Sequence, residues 1–381
     1  MDEEKTAPTT QEQERKPKKR KKRALWQRVI ALLLLLAVAG GLLFLMLRDS
    51  SPGRNEDEYG DIEPYAYETG AGQTFAAAGG GFAVASSSSL QLLDSRGRTV
   101  YKQLVSFDTP AVFGCEKGAL FCSLGGTEAV YAAFDGTVTR LETDGTLLSA
   151  HLNASGWITL LSEQAGYKGL VQVYDPDGRL IYQWWSGTGY ALRAAVSPDC
   201  AHLAVLTVGQ DGGELRFFSL SSDLELARAD FPGELLYDVS YMSADVLCAI
   251  GEETVYFISA EGDLRGSYSL EGRYLSGYDI SSGDFAAICT NAYRTGTGGT
   301  VTTLDSSGKV LGTLAVSRDI VAMAAQGKEL LLMTSGDVSV YSRELSLNRS
   351  QERLTTARDA LLLSGGDVLL LSAYAAEKLK F

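Results

Sequence analysis

From about Thr74 onward, apolar and polar positions alternate with period two, in runs of four to eight residues separated by glycine turns. One submotif recurs: an apolar-polar-apolar strand, an Asp-x-x-Gly turn, then a second short strand. It stands at Leu90–Gly97, Val171–Gly178 and Val301–Gly308, with looser copies at Val130–Gly136, Leu215–Ser219, Val255–Gly262 and Val338–Ser342. With Asp94, Asp135, Asp175, Ser219, Ser259, Asp305 and Ser342 as markers, the steps are 41, 40, 44, 40, 46 and 37 residues. A period near 40, with about four short strands per unit, predicts an all-β chain folded as a β-propeller. The reason is burial: one twisted sheet cannot cover both of its faces, so units stack around an axis. Another 39 residues from Ser342 reach Phe381, the last residue, so an eighth unit stops where its third strand should end. The weakly alternating Ile62–Tyr67 is expected to supply the missing outer strand and close the ring. The reading is eight blades, with seven the alternative. Ala373–Lys380 is the one stretch outside the N-terminal apolar run with any helical character.

Upstream the pattern changes. Val29–Leu47 is 19 residues without a charge, directly after the basic run Arg15–Arg23. As a helix it rises about 28 Å, against a hydrocarbon core of about 30 Å. The basic side stays cytoplasmic, which places residues 49 onward outside the cell membrane. Trp26 and Arg28 suit the interface where the span begins. A cleaved signal peptide at Ala37-Val38-Ala39 is disfavoured because the apolar run continues to Leu47. A lipoprotein anchor would need a cysteine directly after that run, and the first in the chain is Cys115. The expected organisation is a basic tail over 1–23, a transmembrane signal anchor over 24–48, an acidic stalk over 49–72 and an extracytoplasmic propeller over 73–381.

Asp175-Pro-Asp-Gly178 followed by Trp184-Trp185 resembles the quinoprotein-type propeller repeat, although its tryptophan lies later than that repeat places it. Ser197-Pro-Asp199-Cys-Ala-His202 resembles the Ser-Pro-Asp-Gly hairpin of other propellers, with Cys200 in the glycine's place. Taken whole, the short basic tail, the single span and Gly166-Tyr-Lys-Gly-Leu-Val-Gln-Val-Tyr-Asp-Pro-Asp-Gly178 resemble an uncharacterised Gram-positive bacterial family, the domain of unknown function 5711. The resemblance implies an extracytoplasmic propeller related to WD40-like and quinoprotein-like rings. It transfers no catalytic residue.

Charge narrows the partners. Residues 1–48 hold 11 Lys/Arg and 5 Asp/Glu; residues 49–381 hold 23 and 42, a net charge of -19. Nucleic-acid affinity needs Lys and Arg to neutralise phosphates, so an acidic body argues against that ligand. With 41 glycines and 8 prolines, the chain is rich in turns and poor in proline-driven disorder.

Candidate chemistry is sparse. His151 and His202 are the only imidazoles, and neither accompanies a nucleophile elbow. Cys115, Cys122, Cys200, Cys248 and Cys289 contain no Cys-x-x-Cys pair; Cys115 and Cys122 flank the Glu116–Gly118 turn out of register, and Cys248 and Cys289, in apolar strands, read as small core residues. A disulfide between distant blades is the alternative, since the compartment allows oxidation. Asp175-x-Asp177-Gly178 begins like a calcium loop but lacks the later ligands, so a hairpin turn is expected. The glycine runs at Gly79–Gly81 and Gly296–Gly299 lack the helix and Lys of a phosphate cradle. Asn153 and Asn348 stand in glycosylation sequons. No catalytic, cofactor or metal site is expected. The binding candidates are aromatic: Trp157, Trp184, Trp185, and Tyr190 and Tyr241 beside inner-strand ends.

The expected function is a membrane-anchored, non-catalytic binding or scaffold module whose propeller face holds a protein, peptide or cell-wall polymer. The alternative is an exported propeller enzyme, a quinone-cofactor dehydrogenase or a carbohydrate lyase. Carboxylates and Arg clustered in the central funnel would favour the enzyme; a plain or aromatic-lined funnel would favour binding.

Overall fold

The computed structural model describes residues 64–222, 224–294, 298–352 and 356–381. The tail, the expected span and most of the stalk lie outside the described residues. What is described is all-β: eight antiparallel four-stranded sheets and no helix. Seven blades follow the chain directly, over 74–104, 109–142, 147–185, 190–232, 236–269, 274–316 and 320–352. Blade 8 takes its three inner strands from 359–379 and its outer strand from Pro64–Ala66. The register is Pro64 opposite Glu377, Tyr65 opposite Ala376 and Ala66 opposite Ala375. The closing strand expected near 62–67 is thus in place, and the count is eight. Ala375–Leu379, where the composition suggested a helical turn, is the third strand of blade 8. Pairing on both sides overrides local propensity there.

Burial follows position within the blade. Second and third strands, sandwiched between neighbouring blades, are buried on both faces, as in Gly81–Ala85 and Ser89–Leu93. Outer strands such as Thr99–Leu104 and Leu264–Ser269 alternate exposed and half-buried residues. The core accordingly divides into eight apolar clusters, one for each seam between blades. The last joins Leu361, Leu369 and Leu371 of blade 8 to Phe82, Val84 and Leu93 of blade 1.

The recurring Asp does the work expected of it in the turn between third and outer strands. Asp94 Oδ1 accepts the N–H groups of Arg96 and Arg98 at 2.9 Å, and Gly97 turns with φ 72°. Asp135, Asp175 and Asp305 cap their turns in the same way, Asp175 through Arg179 N at 2.9 Å. Where the marker is serine, its hydroxyl takes over: Ser259 Oγ accepts Asp263 N at 3.1 Å. Cys200 adopts φ 61°, the left-handed conformation of the glycine it replaces. All five cysteines are free thiols, and burial pushes that of Cys122 up to about 12.

Topology gives the ring two unlike faces. Every blade turns from first to second strand, and blades 1 to 7 from third to outer strand, at one end, here called the turn face. Loops from second to third strand, and connections from one blade to the next, emerge at the other end, the connection face.

Candidate ligand-binding face and central channel

The inner strands enclose a channel of about 620 Å³ lined by residues of every blade, Phe75, Phe113, Arg193, Asp238, Tyr278 and Asp359 among them. In blades 3 to 7 the inner strand carries a bulge near its start, which re-aims the residues that follow. The charged groups there tie blade to blade. Arg193 Nε of blade 4 lies 3.6 Å from Asp238 Oδ1 of blade 5, and Tyr278 Oη of blade 6 donates to Asp238 Oδ2 at 2.9 Å. Asp279 of blade 6 accepts Ala325 N of blade 7 at 2.8 Å. Burial pushes the Asp238 and Asp359 carboxyls above the usual range.

The channel therefore holds the carboxylates and the arginine that were tied to enzymatic chemistry, but two of the three carboxylates are stitching seams. His151 lines the same channel, and burial pushes its imidazole down to about 4. Its Nδ1 has no hydrogen-bond partner among the described residues, so no serine or carboxylate completes a triad with it. His202 begins the second strand of blade 4, and its Nδ1 is likewise unpartnered. Among the described residues no group of His, Cys, Asp and Glu is arranged to hold a metal.

The five aromatic candidates separate. Tyr241 is only 6% exposed and packs in the seam between blades 4 and 5. Trp157 and Trp184 pack half-buried in the seam between blades 3 and 4, where the Trp184 ring lies 5.4 Å from Phe218 and under the Arg216 guanidinium. Trp185 and Tyr190 are open to water, at 43% and 58%. Asn153 is buried: its Nδ2 donates to Ser197 O at 2.9 Å and its Oδ1 accepts Trp157 N at 2.8 Å, so this sequon is spent on joining blades 3 and 4.

A wider pattern surrounds Trp185 and Tyr190. Among the described residues the exposed aromatics are Tyr167, Trp185, Tyr190, Tyr274, Tyr293, Tyr374 and Phe381. All but Phe381 lie at the connection face: Tyr167, Tyr293 and Tyr374 in second-to-third loops, the others at strand ends beside blade connections. Phe381, beyond the last strand at the turn face, has the Arg349 guanidinium 5.1 Å from its ring centroid.

At blades 3 and 4 three of these aromatics come together. The Tyr167 and Trp185 ring centroids are 6.4 Å apart at 46°. Lys168 Nζ lies 4.5 Å from the Tyr190 ring centroid and donates to its hydroxyl at 3.0 Å. Scattered exposed apolar residues are ordinary; bulky aromatics collected on one face are a recognition feature.

Comparison with known proteins agrees with the fold. The C-terminal WD40 domain of Sif2 superposes with TM-score 0.59 at 11% identity, over 85% of this chain and 99% of that one. Chaetomium thermophilum Sqt1, bound to the N-terminus of the ribosomal protein L10, gives 0.58 at 13%, over 83% and 99%. BamB from Moraxella catarrhalis gives 0.51 at 10%, over 84% and 99%. At these identities the likeness is one of fold alone. No curated protein sequence matches the chain. A model of the Family of unknown function (DUF5711) matches residues 54–355, and the chain belongs to that family.

Proposed function

We propose that the propeller is a non-catalytic binding module, held outside the cell membrane by the single span over 24–48, and that its connection face takes a protein or peptide partner. The observation that carries this reading is the collection of six exposed aromatics on that face, between 43% and 76% open. A closed ring supports it physically, because loops on a rigid scaffold recognise a partner without having to order themselves first. A structural neighbour, Sqt1, holds the N-terminus of another protein, which fits the same use of the fold. The anchor rests on the uncharged run and the basic residues before it.

Two measurements on intact cells test this. External protease should degrade the propeller and spare the basic tail; digestion confined to the tail overturns the topology. Crosslinking should capture a protein from wild-type cells and lose it when Trp185 and Tyr190 are both replaced by alanine. Unchanged capture overturns the assignment of the face.

A second reading, an exported enzyme, has one observation in its favour: Arg193, Asp238 and Asp359 share the channel with His151. Turnover of a small substrate by the purified chain, abolished by Asp359→Asn, would establish it.

A further inference from the structure

The segment Gly166-Tyr-Lys-Gly169 opens the stretch that the sequence singled out, and it serves as a clasp between blades. Lys168 N donates to Ser186 O at 2.8 Å, Ser186 N donates to Gly169 O at 2.9 Å, and Ala191 N donates to Lys168 O at 3.1 Å. The loop of blade 3 is thereby fixed both to the end of its own outer strand and to the start of blade 4. Gly169 has φ 144°, and a Cβ there would lie 3.0 Å from Ala191 Cβ, so the close approach needs glycine. The clasp holds Tyr167 and Lys168 rigidly beside Trp185 and Tyr190.

One ring of this group already carries a cation, the Lys168 ammonium over Tyr190. The Tyr167 and Trp185 rings carry none among the described residues. Glu163 on the same loop, and Asp144 and Asp211 in second-to-third loops or blade connections of the same face, make no side-chain hydrogen bond or ion pair among the described residues. Beyond residue 48 the chain bears a net charge of -19.

We propose that Tyr167, Trp185 and Tyr190 form a docking site for the Lys or Arg side chains of an extended basic protein segment. The assignment rests on the binding-module reading and names its ligand chemistry. Aromatic faces attract ammonium and guanidinium groups, and carboxylates on the same face raise the local concentration of cations. The same field repels a polyanion, so a phosphate-rich wall polymer is the wrong ligand. Lys168 stands where the partner's cation would lie and competes with it for Tyr190.

The test uses the full chain in detergent micelles and fluorescence anisotropy of three labelled peptides of equal length, one rich in Lys and Arg, one neutral and one rich in Glu. A poly(glycerol phosphate) polymer serves as competitor. The basic peptide should bind about tenfold or more tighter than the neutral one, and added salt should weaken it. Trp185→Ala and Tyr190→Ala should each weaken it by about 3- to 30-fold at unchanged melting temperature, and Lys168→Met should tighten it by about threefold. Equal binding of the neutral and basic peptides, preference for the polyanion, or indifference to Trp185→Ala overturns the proposal. Polymer or neutral-peptide binding that Trp185→Ala abolishes would overturn the ligand class and leave the binding module standing. If no probe binds and cellular capture is also insensitive to Trp185, both readings fall.

Discussion

Tyr67→Ala lowers the unfolding free energy of the propeller by about 3–5 kcal/mol, the cost of emptying a buried aromatic site. Tyr67 lies one residue beyond the strand that completes blade 8 and is 7% exposed. Its ring packs 5.7 Å from Phe75 and 6.1 Å from Phe82, both in blade 1. Its hydroxyl donates to Ser372 O at 2.8 Å and to Ala375 O at 3.1 Å, and its backbone N–H donates to Tyr374 O at 3.1 Å. One side chain thus joins the first and last blades across a sequence separation of 308 residues. Burial also pushes the Tyr67 hydroxyl well above the usual phenol range, so it stays protonated and donating at any working pH. Tyr67→Phe keeps the ring and gives up the one O–H, shared between the two carbonyls, and should cost about 1–2 kcal/mol. Urea unfolding followed by near-ultraviolet circular dichroism reads both values. A cost for Tyr67→Ala below about 1 kcal/mol would mean that the ring is not held shut here.

Gly114→Val should cost about 3 kcal/mol or more, at or above the upper end of the overpacking range. Gly114 stands in the inner strand of blade 2, and a Cβ built on it would lie 1.8 Å from Ala77 O of blade 1. No side chain can yield there, because the obstacle is backbone carbonyl. The seam is fixed close by, where Gly79 N donates to Cys115 O at 3.0 Å. Gly114→Ala should cost about 1–3 kcal/mol by the same clash. Gly125→Ala, at a positive φ but with open space around it, controls for the general effect of replacing a glycine. If Gly114→Val melts at the wild-type temperature, the two inner strands are not packed as described.

Much of the ring was legible in the sequence because its repeat is written in turn chemistry. Asp94, Asp135, Asp175 and Asp305 cap the same turn in successive units, and serine can replace aspartate since either oxygen accepts the same N–H groups. The unit truncated at Phe381 implied a strand near Ile62–Tyr67, because a four-stranded blade with three strands leaves an edge unpaired. The site was less legible.

Trp184 and Trp185 are neighbours on one strand, so they must point to opposite faces, but nothing local says which of them meets blade 4. Tyr241 ends an inner strand whose bulge between Leu236 and Asp238 shifts the alternation, and it turned into a seam instead of outward. The face that Tyr167, Tyr293 and Tyr374 share has no local signature, because a loop's face depends on whether it follows an odd or an even strand of its blade. That parity comes from the whole sheet count, not from residues around the tyrosine. Lys168 and Tyr167 did leave a signal, the two glycines that bracket them.

The most direct test of the account places a photo-crosslinking amino acid at single positions of the full-length protein in living cells. One position is Trp185 on the connection face; the other is Leu264, still more open to water at the start of the blade 5 outer strand beside the turn face. Illumination should yield a covalent adduct with another protein from position 185 and none from position 264. Adducts from position 264 with none from position 185 would contradict the account.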